Sequence, residues 1–249
     1  MSHRPTTHDC KLHTLLRPTP RHLPLTAWIA IATALFAFSG CSRSNLTYSG
    51  DAISGRVVEV GSNVPLSGVN VVSAWRLVAG PGHSIVGYIA ISEDVTDADG
   101  RFHFPEWGPS SNFNDGGVPG TAPVILFFKS GYVSKIMENN YTIGTWRPPL
   151  HMLSDINGKS IDLERFSGSS ADYAKTFYFV ETELANLLRN NQCNWKLIPK
   201  FLWATNVQHY VLRTQGEEAL YSLDYLDRAD VNNRSRCGSL QRYVEEHGK

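Results

Sequence analysis

A charge excess of either sign is missing from this sequence: 23 Lys and Arg stand against 23 Asp and Glu in 249 residues. Without a basic surplus the chain lacks the electrostatic footprint of a nucleic-acid binder, so no nucleic-acid partner is expected. A clean apolar run of membrane-spanning length, about 20 residues, is missing too. The uncharged stretch between Arg21 and Arg43 is eroded near its ends by His22, Pro24, Ser39 and Gly40. No G-x-S-x-G, S-x-x-K, H-E-x-x-H, Walker or dinucleotide signature occurs, which removes the common motif-bearing enzymes. Cysteine is scarce, with four in the chain, whereas 27 aromatic residues supply ample material for a core and argue against disorder.

The amino end has an order of its own. Arg4, Lys11, Arg17 and Arg21 face a single acid, Asp9, before the uncharged run Leu25 to Phe38 and the small residues Ser39 and Gly40 ahead of Cys41. Basic, apolar and small segments in that order describe a secretory signal. The segment Phe38-Ser39-Gly40-Cys41 resembles the lipobox of bacterial lipoproteins, departing from it at Phe38, where that family prefers Leu. The resemblance implies cleavage before Cys41, acylation of its thiol and an anchor in the membrane. Ser42 in place of an aspartate favours the outer membrane, facing the periplasm.

Removal of residues 1–40 leaves 209 residues with 19 Lys and Arg (23 less four) and 22 acids (23 less one), a mildly acidic chain. Cys10 leaves with the signal and lipid consumes Cys41, so Cys193 and Cys237 remain. Outside the cytoplasm such a pair is expected to be oxidised. No His or Cys stands at zinc-ligand spacing beside either one, which weighs against a metal pair.

From Ile53 onward short runs of β-formers alternate with turns: Ile53–Val60, Val69–Val78, Ile85–Val95, Arg101–Phe104, Val124–Lys129, Tyr132–Met137 and Ser160–Phe166. This spacing predicts a β-sandwich. Four pieces in order, Gly55-Arg56-Val57, Pro65-Leu66-Ser67-Gly68-Val69-Asn70-Val71, Thr96 to Phe104 (TDADGRFHF) and Lys129-Ser130-Gly131-Tyr132, resemble the carboxypeptidase regulatory-like family. That resemblance implies a transthyretin-like Greek-key sandwich without catalysis of its own. Pro105 to Pro123 reads as a long loop, eight of its 19 residues being Gly or Pro. Trp107 and Phe113 on it are expected to fold back over the sandwich rather than to face a partner.

Two chemical motifs tempt and are declined. His103-Phe104-Pro105-Glu106 spells a two-ligand zinc signature, but the alternation of Arg101 to Phe104 turns His103 away from both phenylalanines, and Pro105 interrupts the run. A catalytic zinc also needs a third ligand, and His209 is the one downstream histidine at a suggestive distance. Asp97-Ala98-Asp99-Gly100 matches part of a calcium loop, yet Val95 occupies the first ligand position. A hairpin turn explains it better. No metal or cofactor is expected.

Ser169-Ser170-Ala171-Asp172 fits a capping box, and Ala174, Phe177, Val180, Leu184, Leu187 and Leu188 trace a helix face behind it. Further helices are expected from Pro199 to Leu212, from Glu217 to Leu226 and from Leu240 to Glu246, with Tyr173, Phe177, Trp195 and Trp203 packing them on the sandwich. The expectation is thus an α+β chain: a signal at 1–40, a linker at 41–50, a Greek-key β-sandwich at 51–166 and a helical extension at 167–249. Its role is binding or structure at the cell envelope, toward an envelope protein or glycan. The alternatives are a carbohydrate- or peptide-binding module, marked by an exposed flat row of aromatics, and an enzyme with a site between sandwich and helices.

Overall fold

A computed structural model describes residues 47–82, 84–110, 118–138, 141–145, 150–188, 193–217, 226–227 and 234–249, without the side chains of 118–122, 141–145 and 234. The chain divides into residues 1–44 and 45–249. Cys41, Phe113, Trp146 and most of the expected helix 217–226 lie outside the described residues, all of which belong to the second unit. Among the described residues no helix is long and apolar enough to cross a membrane.

Eleven strands are described: β1 (Tyr48–Gly50), β2 (Ile53–Glu59), β3 (Asn70–Ala79), β4 (Ser84–Val95), β5 (Arg101–Phe104), β6 (Trp107–Ser110), β7 (Val118–Phe128), β8 (Lys135–Glu138), β9 (Tyr141–Thr145), β10 (Leu150–Ser154) and β11 (Ser160–Leu163). They form three sheets, ordered β6-β1-β10-β9, β11-β2-β5 and β4-β3-β7-β8. The helices are α1 (Ser170–Leu188), α2 (Pro199–Thr214), α3 (Arg234–Cys237) and α4 (Leu240–His247), with a 3₁₀ turn at Asn194–Leu197. The architecture is α+β and sandwich-like.

The third sheet is covered on both faces, and its residues show why. Along β7, Ile125 and Phe127 point into a core with Val57, Phe102, Phe104, Ile161 and Met152 of the other two sheets. Val124, Leu126 and Phe128 point the opposite way, into a core with the helices. Successive side chains of a strand face opposite sides, so the uninterrupted run Val-Ile-Leu-Phe-Phe requires two apolar neighbours. The helices supply the second. Phe128 lies 5.5 Å from Phe177 of α1 and 6.2 Å from Phe201 of α2, ring centre to ring centre.

Helix entry is fixed locally for α1 and remotely for α2. The Ser169 hydroxyl accepts from the Asp172 amide (3.2 Å) and donates to the Asp172 carboxylate (2.7 Å), a capping box closed through the hydroxyl. Ile198, the residue before α2, has no side-chain cap. Glu93 of β4 takes that place, accepting from the amides of Lys200 (3.1 Å) and Phe201 (3.0 Å). Burial pushes its carboxyl above the ordinary range against the pull of those two amides. Arg76 of β3 makes a second tie, reaching Glu183 of α1 at 3.0 Å and Glu138 of β8 at 3.2 Å.

The four family-like pieces hold turns and sheet contacts. Thr96, buried, accepts from the Val69 amide (2.8 Å) and donates to the Leu66 carbonyl (2.6 Å). Gly100 has φ +74°, and a Cβ there would run into the Val57 carbonyl. Asp97 accepts from the amides of Asp99 and Arg101 at 2.9 and 2.8 Å. The turn is therefore local, but it does not close a hairpin: β4 pairs with β3 while β5 pairs with β2. The connection carries the chain from one sheet to another.

Other expectations need correcting. The linker 41–50 ends in β1, since Tyr48 and Gly50 are buried and pair with β10 and β6. The expected loop 105–123 contains β6 and the start of β7. Trp107 folds back as expected and meets Trp75 edge-on at 5.3 Å. Strand β8 begins at Lys135 rather than Tyr132, and β11 ends at Leu163. The helices are no appendage, because their core includes one face of the third sheet.

A Cβ at Gly50 would collide with the Trp107 indole. Overpacking of this kind costs about 1–3 kcal/mol. Gly50→Ala is therefore expected to lower the unfolding free energy, read from urea denaturation, by that amount, and Gly50→Ala with Trp107→Phe to recover part of it.

Candidate functional site

The seam between sandwich and helices holds a cavity of about 250 Å³. Its floor is the β7–β8 turn at Ser130 and Gly131, its sides the start of α1 and the second half of α2. The Ser130 hydroxyl donates to Oε1 of Gln208 at 2.7 Å, and the Gly131 amide donates to the Tyr173 phenol at 3.2 Å. Ser170 donates to Glu217 at 2.8 Å. Phe166 leans on Tyr173 with ring centres 4.8 Å apart. Burial holds the Tyr173 phenol above its ordinary range, so it stays protonated as a donor. Every described lining residue is neutral: hydroxyls, amides, two aromatic rings, glycines and a valine.

A second, larger cleft of about 660 Å³ runs along α1 past Ala171, Ala174, Tyr178 and Phe179 to Glu181, Gly216 and Glu217. Behind it lies the pair Glu181 and His209, with side chains 3% and 4% exposed and Oε1 3.5 Å from Nδ1. That separation is beyond a good hydrogen bond, and the Nδ1 has no hydrogen-bond partner. Burial, aided by the Arg213 cation, pushes the imidazole below its ordinary value. His209 is a buried neutral side chain, closed to substrate.

On the outer face of the first sheet, Ser49 and Asp51 flank His151, which stands opposite Ser49 on the parallel strand β10. The Ser49 hydroxyl lies 2.8 Å from Nδ1, and Nε2 meets the Asp51 carboxylate. With Nε2–H given to Asp51, Nδ1 accepts from the serine, the polarity of a nucleophile–base relay. Sequence reasoning missed this trio, whose histidine lies about a hundred positions from the serine and the aspartate. Spacing along the chain gave no signal for it.

The other sequence candidates are scattered. His103 is exposed and its Nδ1 lies 2.9 Å from the Ser54 hydroxyl; Glu106 is exposed beyond the strand end. No group of three or more His, Cys, Asp or Glu among the described residues has metal-holding geometry. Trp75 and Trp195 are buried, and Trp107 and Trp203 half-buried. The exposed pair Tyr178 and Phe179 meets at 80°, which is no flat row. Arg165, over the Tyr132 ring, donates to Glu59 at 2.9 Å and to the Tyr132 hydroxyl at 2.8 Å. The Arg165 bond holds the Glu59 carboxyl below its usual range. Cys193 and Cys237 come together with Cα atoms 5.6 Å apart and sulfurs at bonding distance.

No family model and no curated protein matches the chain. Among solved structures, a 3-chlorocatechol 1,2-dioxygenase from Rhodococcus opacus 1CP is similar over 51% of this chain and 62% of its own, at 17% identity and TM-score 0.30. The pilus 2b backbone protein of group B streptococcus is similar over 47% and 42%, at 12% identity and TM-score 0.24. A pilus adhesin from Streptococcus pneumoniae is similar over 48% and 15%, at 15% identity and TM-score 0.20. The chain spans less than two thirds of each, and the likeness extends to nothing beyond the sandwich-like arrangement.

His209 sets a pH dependence. Its folded value is depressed, so between that value and the ordinary 6.5 the unfolded chain binds more protons and stability rises with pH. The contribution is complete above about 6.5 and lost as pH falls through the folded value. The urea midpoint of the wild type relative to that of His209→Gln is expected to rise from pH 5 to 7.5; the raised Glu93 carboxyl, which acts in the opposite sense, is common to both proteins.

Proposed function

We propose that this chain is a lipid-anchored, non-catalytic binding module of the bacterial cell envelope, built on a transthyretin-like sandwich. The observation that carries the binding half is the seam cavity, whose neutral hydroxyls, amides and aromatic rings offer recognition rather than bond-breaking chemistry. The location half rests on the signal-like segment before Cys41 and on the approach of Cys193 to Cys237, a pair suited to an oxidising compartment. Cys41 stands six positions before Thr47, where the described fold begins. At full extension those steps span about 20 Å, so an acyl anchor would hold the sandwich close to the bilayer. Two or more acyl chains suffice for stable attachment.

A second reading, an acyl-transfer or ester-cleaving enzyme, is favoured by one observation, the Ser49–His151–Asp51 relay. A fluorophosphonate that labels the wild type and spares Ser49→Ala would support it.

For the leading reading, cells fed radioactive palmitate are expected to label the wild-type chain and leave Cys41→Ser unlabelled, with the mutant absent from the membrane fraction. Labelling that survives Cys41→Ser sinks the anchor.

A further inference from the structure

The lining of the seam cavity is specific enough to name a ligand class. Volume comes first. About 250 Å³ lies below the roughly 300–1,000 Å³ of sites for drug-sized molecules, a size that seats one ring and, the pocket being open to solvent, leaves whatever the ring is attached to outside. Charge comes second. No described lining residue is ionised, while Asp172 at the mouth of α1 and Glu217 on Ser170 place negative charge just outside. The start of α1 would otherwise attract an anion; with these carboxylates in place an anionic ligand is opposed, and a cation finds no carboxylate in the lining.

Hydrogen-bonding capacity comes third. Ser130, Ser169 and Ser170 each spend their hydrogen on a protein acceptor, and although Ser169 also accepts from the Asp172 amide, each keeps at least one oxygen lone pair for a ligand. Gln208 is 4% exposed. Its Oε1 is engaged by Ser130; its amide nitrogen is not among the buried polar atoms left without a partner, and as part of the pocket lining it offers N–H donors to a ligand. Tyr173 accepts from Gly131 and keeps its own O–H to donate. Acceptors and donors alternate around one small space beside the rings of Phe166 and Tyr173. Alcohol groups, which donate and accept at once, match this better than a peptide, whose extended backbone needs a groove.

We propose that the seam cavity binds one neutral sugar ring, the terminal residue of a glycan, with Gln208 and Tyr173 as donors and the serines as acceptors. This deepens the binding reading above and rests on it.

The test uses the full chain in detergent, with titration calorimetry and saturation-transfer NMR. The probes are glucose, galactose, mannose and N-acetylglucosamine, with glucose 6-phosphate as the charged control and trialanine as the peptide control. At least one neutral sugar is expected to bind, at least tenfold more tightly than either control. Gln208→Leu and the milder Tyr173→Phe are each expected to weaken that binding at least fivefold, and Gln215→Ala at the rim to weaken it less. Because Gln208→Leu removes a buried contact, Tyr173→Phe decides the matter where the first variant does not fold. Failure of all four sugars, preference for the phosphate or the peptide, or binding indifferent to Tyr173→Phe overturns the proposal. Palmitate labelling is read separately, so an anchored chain that ignores sugars refutes this inference and leaves the anchor standing.

Discussion

The rest of the structure depends on a sheet that must be dry on both sides. Strands β3 and β7 carry apolar residues on both faces, with Val71 and Trp75 facing one core and Val72 and Ala74 the other. Antiparallel sheets commonly leave one face to water; this one cannot, because Val124, Leu126 and Phe128 would then be exposed together. Each such side chain contributes about 1.5–3 kcal/mol when buried. The helical layer is therefore a condition for the sheet, and the sandwich is a condition for the helices. The Glu93 cap and the Arg76 ties hold the register between them.

That constraint also makes the seam. Where the β7–β8 turn rises past the sheet edge to meet α1 and α2, apolar packing stops and hydroxyls and amides take over. Ser130 and Gly131 sit there because Gly131, at φ +80°, allows the chain to reverse; the helix cap Ser169 sits there because α1 begins at the same height. A polar pocket at the meeting of two layers follows from turn and cap chemistry. Cys193 and Cys237 lie elsewhere in the helical layer and fasten the start of the 3₁₀ turn to α3.

Much of this was legible in the sequence wherever local chemistry decided it. The alternation of Phe102, His103 and Phe104, the Ser169 cap and the face of α1 all appear as expected, and Cys193 and Cys237 stand at bonding distance. What was not legible depends on a distant partner. Tyr48–Gly50 is a strand only because β10 and β6 flank it. The proline-rich segment after Phe104 forms β6 on the other side of β1. Glu93 caps a helix more than a hundred residues away. The run Val124 to Phe128 marked a strand without saying that its second face was spoken for.

The central claim is that sandwich and helices form one cooperative unit through the third sheet. Native-state hydrogen exchange on wild type and Phe128→Ala tests it most directly, since that substitution is expected to cost about 3–5 kcal/mol. The account predicts that amides in β7, such as Ile125, and in α2, such as Leu202, lose protection together and by the same free energy. Loss confined to the helices, with β3 and β7 as protected as before, would contradict it.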